Sequence, residues 1–234
     1  MKKIIDKISF VLLTGVIFTL SVVLYGFCVE AVLLPTNFLF YENSPFVSMI
    51  LAPLLVIPSV FISYYIVYFF KKKMNSENDF LHIIWFSKKL GKWKIAIAAV
   101  WLIALHVCTT SLTYVTNDRI VVLTPLNLKG RAYSYSKVEK IETGFGNQKF
   151  SFFEYEKEGN FYYKIYLDGQ ETVFYTSSVN SSIDRYQDTY LELEEFDQAL
   201  GKLNIPKESS AAGADQCRLD KEYIHRFLRI IGED

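Results

Sequence analysis

Glu30 and His106 are the residues whose type and setting could do chemistry, because each is an ionisable group inside an otherwise apolar run. Charge is costly in hydrocarbon, so a carboxylate or imidazole retained there by default points to function, such as a proton or ion relay. Both fall towards the same end of their runs, at similar depth, and so could pair. The cost shrinks near the headgroups, however, and either side chain can instead reach interfacial water. One such pair does not by itself line a transport pathway.

Other candidates give weaker signals. Asp188, Glu192, Glu194, Glu195 and Asp197 offer oxygen ligands of the kind a hard cation accepts. Their spacing does not match a calcium loop, and they share a segment with Leu193, Phe196, Leu200 and Leu203, so they read as the solvated face of a helix. His82 and His225 have no partners in the sequence, and His225 beside Arg226 reads as surface polar. No G-x-S-x-G elbow is present. Gly144-Phe145-Gly146 is too short to cradle a phosphate and fits a turn at a strand end. Cys28 and Cys108 lie in apolar runs and Cys217 stands alone, without a C-x-x-C pair or a disulfide framework. The sequence therefore predicts no catalytic residue, no metal site and no cofactor.

The elements that carry these residues divide the chain in two. Over half of the 234 residues are hydrophobic (51%), and mean hydropathy is +0.17, with the excess at one end. A helix needs about 20 apolar residues to cross ~30 Å of hydrocarbon. Ile8 to Leu33 meets this with Glu30 as its only charge, and Phe46 to Phe70 has none. Ile95 to Leu112 is shorter, with His106 its only ionisable group. Pro53 and Pro58 predict a kink in the second helix, which neighbouring helices can accommodate. The first run is too long for a signal-peptide core, and bulky Phe27 precedes Cys28 where a lipoprotein box needs a small residue, so it reads as an uncleaved helix.

Lysine placement orients these helices. Lys2, Lys3 and Lys7 precede the first, and Lys71, Lys72, Lys73, Lys88, Lys89, Lys92 and Lys94 lie between the second and third. The connection from Leu34 to Pro45 carries no Lys or Arg. Positive charge stays inside, so the amino terminus is expected in the cytoplasm and everything after the third crossing outside it. Tyr64, Tyr65, Tyr68 and Trp93 fit an aromatic belt at the inner interface. Asn78 to Phe86, with Trp85 and Phe86, reads equally as a segment on the inner membrane surface or a loop packed on helix ends. Net charge is zero but split: the first 113 residues are +5 and the rest −5, and no basic stripe marks a nucleic-acid surface.

From Ser111 onward short β-rich runs alternate with turn signals. Candidate strands are Ser111–Thr116, Arg119–Thr124, Arg131–Tyr135, Val138–Phe145, Lys149–Lys157, Phe161–Leu167 and Glu171–Ser177. Asn117-Asp118 and Asp168-Gly169 are two-residue hairpin turns. Phe161, Tyr163, Ile165 and Leu167 share one face of their strand. A helix around Leu193–Leu203 follows, then Pro206, a small-residue stretch, and an amphipathic helix on Leu219, Tyr223, Phe227 and Ile230.

Asp118-Arg119-Ile120-Val121-Val122, leading to Tyr133-Ser134-Tyr135-Ser136-Lys137-Val138-Glu139-Lys140-Ile141, resembles bacterial membrane-anchored proteins with a pleckstrin-homology-like (PH-like) domain. There a strand with a D-x-I start leads to a Tyr-Ser segment that ends in isoleucine. The resemblance spans residues 111–205. It implies a closed or nearly closed sheet capped by a helix, and little about chemistry, because such a fold hosts many functions. Phosphoinositide-binding members use basic residues in the loop joining the first two strands. Here that loop is Asn117-Asp118 with only Arg119 beside it, which argues against inositol-lipid recognition.

The expected fold class is thus membrane α plus α+β: three transmembrane helices, then a seven-stranded antiparallel PH-like barrel or sheet with C-terminal helices. The expected domains are a transmembrane region over 1–113 (helices about 8–33, 46–70 and 95–112), a PH-like β-domain with its capping helix over 114–205, a linker over 206–217 and a terminal helix over 218–234. The expected role is non-enzymatic: a multi-pass cell-membrane protein, accessory, scaffolding or regulatory, whose partners are the bilayer and an envelope protein or polymer. The alternatives are a small ion-coupled transport protein using Glu30 and His106, and an enzyme with an unrecognised external site.

Overall fold

The computed structural model describes residues 2–73, 91, 93–175, 180–181 and 189–232. The chain forms two compact units, Met1–Val32 with Ile50–Thr109, and Leu33–Met49 with Thr110–Asp234.

The first unit is helical: α1 (Lys2–Leu33), most of α2 (Pro45–Lys73) and α3 (Trp93–Thr110). Two stretches, Ile8–Leu33 and Pro45–Phe70, are long and apolar enough to cross a membrane, and Ile95–Thr110 is a shorter apolar helix. Their large aliphatic side chains point outward: Val11, Leu20, Val23, Val32, Ile95 and Val100 are all more than half exposed. A helix that is apolar all round needs an apolar surrounding, which fits a membrane location.

Inside α2, Pro58 lacks the N–H that would bond the Leu54 carbonyl one turn back. Trp101 of α3 supplies the replacement, its indole N–H donating to the Leu54 carbonyl at 2.9 Å. Buried Ser59 and Ser63 donate to the carbonyls of Leu55 and Ser59, each at 2.7 Å, so their hydroxyls are satisfied within the helix.

The second unit holds two sheets. Its strands are β1 (Phe38–Asn43), β2 (Leu112–Thr116), β3 (Arg119–Thr124), β4 (Asn127–Ser134), β5 (Val138–Phe145), β6 (Phe161–Leu167), β7 (Gln170–Tyr175), β8 (Asn180–Ser181) and β9 (Lys207–Ser210). One sheet has the order β4-β3-β2-β1-β8 and the other β7-β6-β5-β9. All pairings are antiparallel except β5 with β9. Helices α4 (Thr189–Gly201) and α5 (Lys221–Ile231) complete the core. There Phe40, Phe174 and Phe196 meet edge to face, and Phe161 stacks on Phe227 of α5 with centroids 4.2 Å apart. Burial along β6 alternates as the spacing predicts, with Phe161, Tyr163, Ile165 and Leu167 inside.

Several expectations are corrected. The described strands number nine in two sheets, with a parallel pair, rather than seven in an antiparallel set. The Leu34–Pro45 connection contains β1, which pairs with β2 and places Phe40 in the core, so the β-domain starts well before residue 114. Lys149–Lys157 is no strand but a bent loop with a short 3-10 turn at Glu154–Glu156. The Ser151 hydroxyl accepts the Phe153 N–H and donates to the Glu156 carboxylate, and such local bonds compete with a sheet ladder. The expected linker over 206–217 begins with β9. Ser210 pairs with Gly144, where a Cβ would stand 3.0 Å from the Ser210 carbonyl oxygen, so the close approach uses the small residue. The Asn78–Phe86 segment, His82 and Asp188 lie outside the described residues.

Candidate functional site

Among the described residues of the second unit, the loop between β5 and β6 carries two highly exposed aromatic side chains. Its neck is closed by backbone bonds: the Gly146 N–H donates to the Asn160 carbonyl at 2.9 Å, and the Glu158 N–H to the Gln148 carbonyl at 3.0 Å. Gly159 holds this neck with φ +82°, where a Cβ would lie 2.3 Å from the Gln216 carbonyl oxygen, so only glycine fits. Within the loop, Phe153 stacks on Tyr155, the Asn160 side-chain amide donates to the Glu154 carbonyl at 2.7 Å, and Lys157 pairs with Glu154. This internally tied loop presents Phe150 at 95% exposure and Phe152 at 81%.

Two clefts border the loop. One of about 450 Å³ is lined by Lys149, Phe150, Ser151, Phe152 and Lys157. The other, about 480 Å³, runs past Lys149, Glu154, Lys157, Asn160, Cys217 and Arg218. Two exposed aromatic rings beside ammonium groups suit a partner that brings an apolar anchor with carboxylates around it.

A third cavity, about 220 Å³, lies where the chain enters α2 and leaves α3, lined by Glu42, Asn43, Ser44, Ser111, Thr113, Thr124 and Glu171 among others. Glu42 is 2% exposed there, on a strand whose neighbours are aromatic. Nearby Ser44 donates its N–H to the Ser111 carbonyl at 3.0 Å.

Glu30 lies in the last turn of α1, half-buried, and His106 in the last turn of α3, exposed. Those two helices are joined at this level by the Tyr25 hydroxyl, which donates to the Cys108 carbonyl at 3.2 Å. His225 is exposed on α5.

Of the described carboxylates on α4, Glu195 is exposed as expected, but the other three are not part of a solvated face. Glu192 is buried; Glu194 takes Arg229 at 2.8 Å and Arg226 at 3.4 Å; Asp197 takes Lys207 at 2.6 Å and the Tyr163 hydroxyl at 2.7 Å. Helix α5 and β9 cover this side of α4 and bring the cations with them. Burial, and then the Asp197 charge, hold Tyr163 well above the ordinary tyrosine range. Tyr135, whose hydroxyl donates to the Thr116 carbonyl, is pushed up to about 12, by burial first and the Asp118 charge second. Asp118 itself is lowered by hydrogen bonds from Arg119 and Thr116. On the outer face of the second sheet, Lys140 pairs with Glu142 at 2.7 Å and Glu208 at 2.8 Å, which raises the lysine and lowers Glu142. Among the described residues no three His, Cys, Asp or Glu side chains converge as metal ligands.

The sequence marks Phe150–Tyr166 as an aromatic-rich stretch that could supply a sticky outer face, yet core and sheet packing accounts for most of it there, because the every-other-residue spacing of Phe150 and Phe152 mimics a half-buried strand. Sequence reasoning missed Glu42 because the surrounding Phe38-Leu39-Phe40-Tyr41 run, a β signal in itself, sat between two membrane-length helices. Compared with family models, with curated proteins and with solved structures, the chain matches none of them.

Proposed function

We propose that this chain is a multi-pass membrane protein that crosses the bilayer three times and holds its β-domain outside the cytoplasm as an accessory, scaffolding or regulatory module. The observation that carries the reading is the pairing of β1 with β2. Strand β1 lies between the first two apolar helices and β2 follows the third, so the chain must come back to the side it left through α2. If α2 crosses, α3 must cross too, despite its short apolar length. The lysine-rich 71–94 segment then lies on the opposite side from the domain, and positive charge marks that side as cytoplasmic.

The order of β1–β4 in one sheet and β5–β7 in the other, followed after the two-residue β8 by α4, supports the PH-like resemblance, with the first strand supplied by the α1–α2 connection. Exposed Phe150 and Phe152 support a binding role, and the Phe150–Phe152 loop is the surface through which an envelope partner docks.

The test is thiol labelling of the full chain in intact cells, with Cys28, Cys108 and Cys217 changed to serine and Asn117→Cys as the sole reporter. Asn117 is exposed at a hairpin turn, whereas Cys217 is partly packed against the core. Labelling by a membrane-impermeant maleimide before lysis is the expected result. Labelling only after lysis would place the domain in the cytoplasm and overturn the proposal.

A further inference from the structure

The β3–β4 hairpin presents apolar residues that the rest of its sheet keeps inside. Ile120, Val121 and Leu123 of β3 are at most 3% exposed, whereas Leu126 at the hairpin tip is 100% exposed and Leu128 is 51% exposed. The tip is a two-residue turn, Pro125-Leu126, closed by the pairing of Thr124 with Asn127. Behind it the register of β3 against β4 shifts between Val122 and Thr124, so β4 carries a bulge. Gly130, at φ +73°, makes that bulge possible: a Cβ there would stand 2.6 Å from Val121 Cγ1. Bulges of this kind re-aim the side chains beyond them, and here those side chains are Leu128 and Lys129.

The register fixes which end of the sheet this tip occupies. Thr113 of β2 pairs with Val122, and Asn43 of β1 pairs with Leu112, so Asn43, Leu112 and the tip share one end. At that end the chain passes within two residues into α2 at Pro45, and it arrives from α3 at Thr110. The Asn117-Asp118 turn between β2 and β3 lies at the other end. Charge points the same way. From Ile120 to Val138 the chain has Lys129, Arg131 and Lys137 and no carboxylate, within a half of the molecule that is acidic overall. Lys129 and Arg131 are exposed beside the two leucines.

We infer that the Pro125–Leu128 tip inserts into the outer leaflet of the bilayer that α2 and α3 cross, with Leu126 among the acyl chains and Lys129 and Arg131 at anionic headgroups. Exposed leucine followed by basic residues is the composition that an interfacial anchor needs. The inference rests on the membrane reading above and assigns the domain a second, peripheral hold on the lipid.

The test uses the full chain in vesicles of mixed phosphatidylcholine and phosphatidylglycerol, without any partner protein. With the native cysteines changed to serine, a nitroxide is attached at Leu126→Cys, at Asn117→Cys or at Leu20→Cys in α1. Collision rates with oxygen and with a water-soluble nickel chelate report immersion. The 126 label should be oxygen-accessible and several-fold protected from the chelate relative to the 117 label. If the 20 label is immersed while the 126 label is as chelate-accessible as the 117 label, the hairpin anchor is refuted and the membrane reading stands. If the 20 label is itself open to the chelate, the membrane reading fails and this inference with it.

Discussion

Replacing Phe40 with alanine should destabilise the β-domain although residue 40 lies between two membrane-length helices, some 70 residues before most of that domain. Phe40 is 0% exposed, and its ring meets Phe174 edge to face at 5.2 Å and Phe196 at 5.6 Å. Truncating such a core phenylalanine costs about 3–5 kcal/mol, a figure that already contains the aromatic pair terms. With a urea slope of about 2 kcal/mol/M, the unfolding midpoint should fall by about 2 M. The assay is proteolysis of the full chain in lipid nanodiscs across a urea series, with survival of the β-domain as the readout. Phe150→Ala is the matched control, because that ring is 95% exposed and its loss should stay within about 0.5 kcal/mol. Equal midpoints for the two variants would mean that β1 is not a core strand, and the three-crossing argument would lose its support.

Three further outcomes are expected under the same assay. Gly159→Ala forces a Cβ to 2.3 Å from the Gln216 carbonyl oxygen at a positive φ, so it should cost at least about 2 kcal/mol and open Lys149 and Lys157 to trypsin; a wild-type midpoint would contradict the neck geometry. Asp197→Asn and Lys207→Met should couple by about 1–2 kcal/mol in a double-mutant cycle, since the pair is 14% and 24% exposed and shares Tyr163; additive costs would show that it contributes nothing. Alkaline pH should also destabilise the domain. Tyr163 keeps its proton in the folded state after the unfolded chain loses one near its ordinary value of 10.0, so its stabilisation is complete below that pH and declines above it. Tyr163→Phe should flatten that decline, and unchanged slopes above pH 10 would argue against it.

The parts of this fold that were legible in the sequence are those set by local periodicity. Strand β6 alternates strictly, the Asp168-Gly169 turn places Asp168 at φ 51° and Gly169 at φ +72°, and α4 follows the spacing of Leu193, Phe196 and Leu200. The illegible parts depend on partners distant in sequence. Nothing near Phe40 says that its neighbours are Val115 and Phe174, and nothing near Lys207 says that Ile141 is beside it. The acidic face of α4 looked solvated because the cations that cover it come from β9 and α5, up to 35 residues on. For the candidate surface, Phe150 and Phe152 were visible as residues, but their exposure follows from side-chain bonds of Ser151 and Asn160 that bend the loop away from a ladder.

Strand β1 also ties the folding of the domain to the order of the chain. Only Ser44 separates β1 from α2, and only Ser111 separates α3 from β2, and these two residues are hydrogen-bonded at 3.0 Å. The chain order has a consequence for folding. Strand β1 is made long before β2, and until α3 is complete it lacks the partner beside which it lies in the sheet, with an edge open to mispairing. Completion of the chain through α2 and α3 is therefore a precondition for closing the core around Phe40.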